Sequence, residues 1–247
     1  MKKLYEKNEL LFAILWIVAY VVIYSTADSI SIDLGIPKVV TAAAGIIISV
    51  FLLLWIWKNG LCNKYGLCGS DVPAKQMLYY FPLVILMTVN FWGGIALEHT
   101  VLETVLYIVS MLGVGFLEEI IFRGFLFRAM CRDNVNTAII VSGVTFGIGH
   151  IVNLFNGSQM TLVSNLLQIC YAVAIGLLFT CIFYKTNSLY ACIVTHGVFN
   201  SMSIFADESG KTMMFDIMIA AVLCAVPIAY LVYLMKYQED ERNERNY

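Results

Sequence analysis

Uncharged, strongly apolar stretches of about twenty residues recur along the whole chain, separated by short polar turns. A helix needs ~20 such residues to cross ~30 Å of hydrocarbon. The pattern predicts about eight spans, near residues 10–27, 38–57, 76–97, 104–128, 137–155, 162–184, 188–206 and 213–235. They are expected to be helices, because lipid offers an open backbone no hydrogen-bond partners. Residues 134–184 contain no Asp, Glu, Lys or Arg at all. Asn153, Asn156, Gly157, Ser158 and Gln159 interrupt that stretch with turn chemistry, so it reads as two spans joined by a polar hairpin.

Composition agrees with a lipid solvent. Of 247 residues, 60% are apolar and 13% charged, whereas soluble domains carry roughly 25% charged residues. The mean hydropathy is +0.82. A net charge of −2 provides no basic field for nucleic acid, which is excluded as a partner. Placing the N-terminus inside puts Lys2, Lys3, Lys7, Lys58, Lys64, Lys75, Arg123, Arg128, Arg132, Lys185, Lys236, Arg242 and Arg245 on the cytoplasmic side. Of the 15 basic residues only Lys38 and Lys211 then fall outside, as the positive-inside rule requires. An odd number of spans would break this asymmetry. Lys2 and Lys3 followed by Ser25-Thr26-Ala27 resemble a signal peptide, but an uncleaved first helix is simpler in a chain that is apolar throughout. The expected architecture is all-α: a polytopic transmembrane bundle in the cell membrane, both termini cytoplasmic, 1–247 forming one domain, with membrane lipid as its partner.

The seven cysteines do not suggest a disulfide or zinc framework. Cys131, Cys170, Cys181, Cys192 and Cys224 lie in or beside apolar helices, where a thiol acts as a small hydrophobe. Cys62 and Cys68 share a loop assigned to the reducing side.

Ionisable groups inside a span cost ~2.5–3.5 kcal/mol on insertion scales, so they are functional candidates. The fourth span ends in Glu118-Glu119-Ile120-Ile121-Phe122-Arg123-Gly124. Glu119 and Arg123, four apart, can pair on one helical face, while Glu118 lies about 100° away with no basic partner in its own helix. The fifth span carries Phe146 and His150 one turn apart, together with Gly143 and Gly147, a small-xxx-small pair that admits a neighbouring backbone. The seventh carries His196 and Asn200 on one face. Each motif alone is explained by a capped helix end or by interhelical hydrogen bonding. Depth argues for more: Glu118, His150 and His196 lie roughly 15, 20 and 12 Å from the same face, at 1.5 Å per residue. His99, beside Glu98 in an external loop, needs no special role.

Glu-Glu-x-x-x-Arg at 118–123, Phe-x-x-x-His at 146–150 and His-x-x-x-Asn at 196–200, in that order on separate helices, resemble the CPBP (Abi) family. That family holds the type II CAAX prenyl endopeptidases and bacteriocin-processing or self-immunity proteases. The resemblance covers about residues 104–206 and implies an intramembrane endopeptidase acting on a prenylated or leader peptide. Glu118, His150, His196 and Asn200 would be catalytic, with Glu119, Arg123 and Phe146 supporting them. On this reading Glu118, helped by His150, activates a water, while His196 and Asn200 stabilise the oxyanion. A competing route places zinc on Glu118, His150 and His196; no His-Glu-x-x-His helix favours it. A non-catalytic scaffold or immunity protein is the principal alternative. A small transporter with a proton relay is the other, although no internal repeat supports it.

Overall fold

A computed structural model describes residues 1–156 and 160–244, with side chains up to 236. Gly157, Ser158 and Gln159 of the expected hairpin, and Arg245 in the tail, lie outside the described residues. The described residues form ten α-helices joined by 3-10 and π segments. These are α1 (Lys2–Lys7), α2 (Glu9–Asp33), α3 (Val39–Lys58), α4 (Phe81–Thr88), α5 (Val101–Glu118) and α6 (Arg128–Met130). The second half holds α7 (Val135–Gly149), α8 (Leu162–Thr186), α9 (Tyr190–Met202) and α10 (Met213–Glu244). Helix starts follow local chemistry. Asn8 accepts from the Leu11 N–H at 2.8 Å, Asn134 from Thr137 at 2.9 Å, and Thr100 with Glu103 closes a capping box on α5. Each satisfies N–H groups that a helix terminus leaves without partners.

Polarity runs opposite to that of a soluble fold. Leu11, Ile14, Leu15, Val18 and Val22 of α2 point outward, as do Ile47, Phe51 and Leu54 of α3. Ser31, Thr41, Ser110, Glu119, Arg123, Ser142, Asn165, Thr180 and His196 are buried inside. An apolar rim around a polar interior suits lipid, and the chain is a multi-pass integral membrane protein. Among the described residues six helical stretches are long and apolar enough to cross a bilayer: 9–33, 39–58, 101–130, 135–154, 162–186 and 213–236.

The other two expected spans are shorter than the hydropathy pattern suggested. Within 76–97, Leu78, Tyr79 and Tyr80 all take left-handed backbone conformations, and helix α4 begins only at Phe81. Pro82 explains the restart, since it lacks an N–H and is tolerated only in a first turn. Gly94, at φ 115°, marks the other end of this region. Helix α9 has 13 residues, about 20 Å. It packs against α5 inside the bundle.

The basic end is tied together by Lys64 on Glu9 at 2.6 Å, by Arg132 on Glu9 at 3.7 Å, and by Arg128 on the Asn187 side-chain oxygen. Asp28 and Lys38 clasp the α2–α3 turn at the opposite end. Cys181 and Cys192 are buried among apolar side chains. Cys68 donates to the Asn187 carbonyl at 3.3 Å, and burial, with Asp71 nearby, pushes its thiol above the usual range.

Candidate active site

The centre of the bundle is the run that follows α5. Residues Glu119–Phe127 are wound as a π-helix and all nine are buried. An α-helix was expected through 128. The i→i+5 winding is rare, and its frequent appearance at functional sites reflects the way it re-aims side chains. Ser142 of α7 donates to the Phe122 carbonyl at 2.9 Å, tying the π segment to its neighbour. The widened turn separates the two glutamates. Glu118 closes the α-helix and reaches a cavity, whereas Glu119 points into protein.

Glu119 and Arg123 are both 0% exposed and paired at 3.1 Å, as their spacing predicted. The guanidinium lies over the Phe146 ring at 4.1 Å, with Phe179 at 5.7 Å. A buried charge requires such compensation, because removing one partner would leave the other desolvated and unpaired. The same Glu119 oxygen contacts His196 Nδ1 at 2.8 Å. On the other side of that imidazole, Nε2 lies 3.4 Å from Glu118 Oε2. This second contact is too long and poorly aligned for a hydrogen bond, and Oε2 has no hydrogen-bond partner among the described residues. We read it as electrostatic proximity.

Helix α9 reaches this position because two glycines meet. A Cβ on Gly115 would fall 2.6 Å from the Gly197 nitrogen and 2.7 Å from its Cα. The backbones of α5 and α9 therefore touch one turn from the glutamates, which brings His196 between them. Gly143 and Gly147 play a similar part toward α8, where a Cβ on either would strike the backbone nitrogen of Leu177 or Val173 at 2.8 or 2.6 Å. The small-xxx-small reading thus holds, and it locates α7 against α8.

His150 opens the 3-10 turn that follows α7. Its Nδ1 lies 3.1 Å from the Phe146 carbonyl, which assigns the proton to Nδ1 and leaves Nε2 as an acceptor. Phe146 meets both imidazoles edge-on, at 5.1 Å from His150 and 5.7 Å from His196. Glu118, His150, His196, Asn200 and Phe146 all line one cavity of about 540 Å³, within the size range of ligand sites. Its wall continues through Tyr20, Tyr24 and Asp28 of α2. The Asn200 carboxamide borders the cavity with no hydrogen bond to another described side chain. Of the expected residues, Glu119 and Arg123 stand behind this wall.

Two features were not anticipated from the motifs. One is the Gly115–Gly197 contact, whose only signal was a glycine beside each motif. The other is Tyr20, whose hydroxyl donates to Glu118 Oε1 at 2.7 Å; a phenol in mid-span needs a polar partner, and that was its signal.

The zinc arrangement can be weighed against this geometry. Among the described residues no three His, Cys, Asp or Glu side chains are gathered to hold a metal ion. The Nδ1 contacts of His196 to Glu119 and of His150 to a carbonyl leave both Nε2 atoms open and are ones a metal-bound histidine also makes, so spacing alone is the test. As arranged, Glu118, His150 and His196 do not make a three-ligand set.

Residues 100–202 match the family model described as type II CAAX prenyl endopeptidase Rce1-like. No curated protein and no solved structure matches the chain. The matched stretch runs from the N-cap of α5 to the last residue of α9 and includes all three motifs. Residues 100–202 are thus an Rce1-like domain, in agreement with the resemblance of the three motifs to the CPBP family.

Proposed function

We propose that this protein is an intramembrane endopeptidase that hydrolyses a peptide bond with a water activated by Glu118 and His150. The observation that carries the reading is the convergence of Glu118, His150, His196 and Asn200 on one cavity inside an apolar bundle. Its substrate is a prenylated C-terminal peptide or a membrane-associated leader peptide, delivered where lipid meets the polar interior.

The chemistry needs a base, an oxyanion donor and a proton for the leaving amine. Glu118 Oε2, with no hydrogen-bond partner among the described residues, takes one proton from water. His150 accepts the other water hydrogen at Nε2 and so orients the oxygen for attack on the carbonyl carbon. The C=O electrons move to oxygen. Asn200 donates to that oxyanion through its carboxamide in every protonation state. His196 has its Nδ1 committed to Glu119 and offers Nε2–H only when both ring nitrogens carry protons. Preorganised donors of this kind are worth about 2.7–4 kcal/mol each. The protonated Glu118 then returns its proton to the amine nitrogen as the C–N bond breaks. Glu119, Arg123 and Phe146 hold His196 in place.

The test uses the full-length protein in detergent or nanodiscs with a prenylated CAAX reporter and an unprenylated leader peptide. Glu118→Gln and His150→Ala should each lower turnover by about 10²–10⁴-fold, the worth of a positioned acid–base group. Cleavage at the wild-type rate in Glu118→Gln would remove the proposed chemistry and favour a non-catalytic scaffold.

A further inference from the structure

Helix α2 lies wholly outside the matched domain, yet it supplies a direct hydrogen bond to the Glu118 carboxylate. Tyr20 is 8% exposed, and its hydroxyl sits 2.7 Å from Oε1. The terminal torsion of a glutamate is broad and roughly two-fold, so a fixed donor at one oxygen decides which edge of the carboxylate faces the cavity. With Oε1 held by Tyr20, it is Oε2 that faces His196 Nε2 at 3.4 Å.

The phenol is itself braced. Tyr24, one turn further along α2, places its ring 4.6 Å from that of Tyr20. The Tyr24 hydroxyl occupies space that side chains on α3 and α5 would otherwise take. A Cβ on Gly45 would lie 2.6 Å from it, and one on Gly113 3.2 Å. Helices α3 and α5 thus leave room for Tyr24, which supports Tyr20, which holds Glu118.

We propose that Tyr20 is a positioning residue for Glu118, locking Oε1 so that Oε2 is presented to the reacting water. The proposal rests on the endopeptidase reading for its kinetic consequence, but not for the hydrogen bond. Tyr20→Phe keeps the ring and removes only the donor. In the full-length protein, kcat on the prenylated reporter should fall about ten- to a hundredfold, the worth of a hydrogen bond to a charged group, with KM within about twofold of wild type. Tyr20→His, which retains a donor, should recover part of the loss, whereas Tyr20→Leu should not. A wild-type kcat in Tyr20→Phe would overturn the proposal while leaving the endopeptidase reading intact. A second readout needs no turnover. Dicyclohexylcarbodiimide labelling, located on Glu118 by peptide mass spectrometry, should rise about tenfold in Tyr20→Phe as Oε1 is freed from its donor. Unchanged labelling would also overturn the proposal. Increased labelling in a protein that cleaves neither peptide would support the role of Tyr20 and count against the endopeptidase reading alone.

Discussion

Replacing Gly115 by Ala adds one methyl group where the structure has room for none. The new Cβ would sit 2.6 Å from the Gly197 nitrogen, and an ordinary contact begins near 3.4 Å, so α9 must retreat by about 0.8 Å. The obstacle is backbone, which cannot rotate aside. A retreat of that size would stretch the His196 Nδ1 to Glu119 contact from 2.8 Å to about 3.6 Å, past hydrogen-bond range. Overpacking of this kind costs about 1–3 kcal/mol, and the lost hydrogen bond to a charged group about 1.5–3 more. The facing substitution is a built-in control. A Cβ on Gly197 would first meet Leu112 Cδ2 at 3.1 Å, the tip of an exposed side chain free to turn away. The gain of about 0.8–1 kcal/mol from replacing a mid-helix glycine then roughly offsets the contact. Thermal unfolding in detergent and reporter cleavage should therefore separate the two variants, Gly115→Ala being strongly impaired and Gly197→Ala close to wild type. Equal behaviour would refute the claim that backbone contact at Gly115 sets the position of His196.

Arg123→Met should destabilise by about 3–5 kcal/mol, because Glu119 is left as a buried charge with only the His196 imidazole beside it; adding Glu119→Gln should recover part of the lost unfolding temperature. Asn200→Ala should reduce kcat by about 10²–10³-fold with little change in thermal stability, as expected of an oxyanion donor, and a loss confined to KM would argue against that role. Phe146→Leu removes the ring under the guanidinium at 4.1 Å, so a loss of about 0.5–2 kcal/mol in stability is expected. Burial raises the Cys68 thiol above its ordinary range. Only the thiolate reacts, so maleimide labelling of Cys68, read by peptide mass spectrometry, should be slow at neutral pH and accelerate only as pH climbs past the usual thiol range.

Much of the architecture was legible because the bilayer imposes a simple requirement. Long uncharged stretches have to be helical, and six of the eight expected spans appear at nearly the expected boundaries. The two that differ were set by details hydropathy averages away. Pro82 and Gly94 limit the segment at 76–97, and α9 is a 13-residue helix that packs one face on α5 while Tyr190 and Val194 stay exposed. The i, i+4 pairing of Glu119 with Arg123 follows from local geometry and needed no tertiary information. The same holds for His150 over Phe146.

What the chain order could not express is which surfaces meet. Helical spacing tells Glu118 from Glu119 but not where either leads; a π turn sends one to a cavity and seals the other behind His196. Hydrogen-bond register over nine residues depends on the helices packed around it, which local propensity does not encode. Likewise a mid-span phenol at position 20 calls for a polar partner without saying which; the hydroxyl finds Glu118, almost a hundred residues later, because α2 lies against the π segment. Sequence alone determined the solvent, most of the helices and which polar side chains lie within them. Packing decided their distances and orientations, because contacts between remote segments are made by shape complementarity that no single stretch contains.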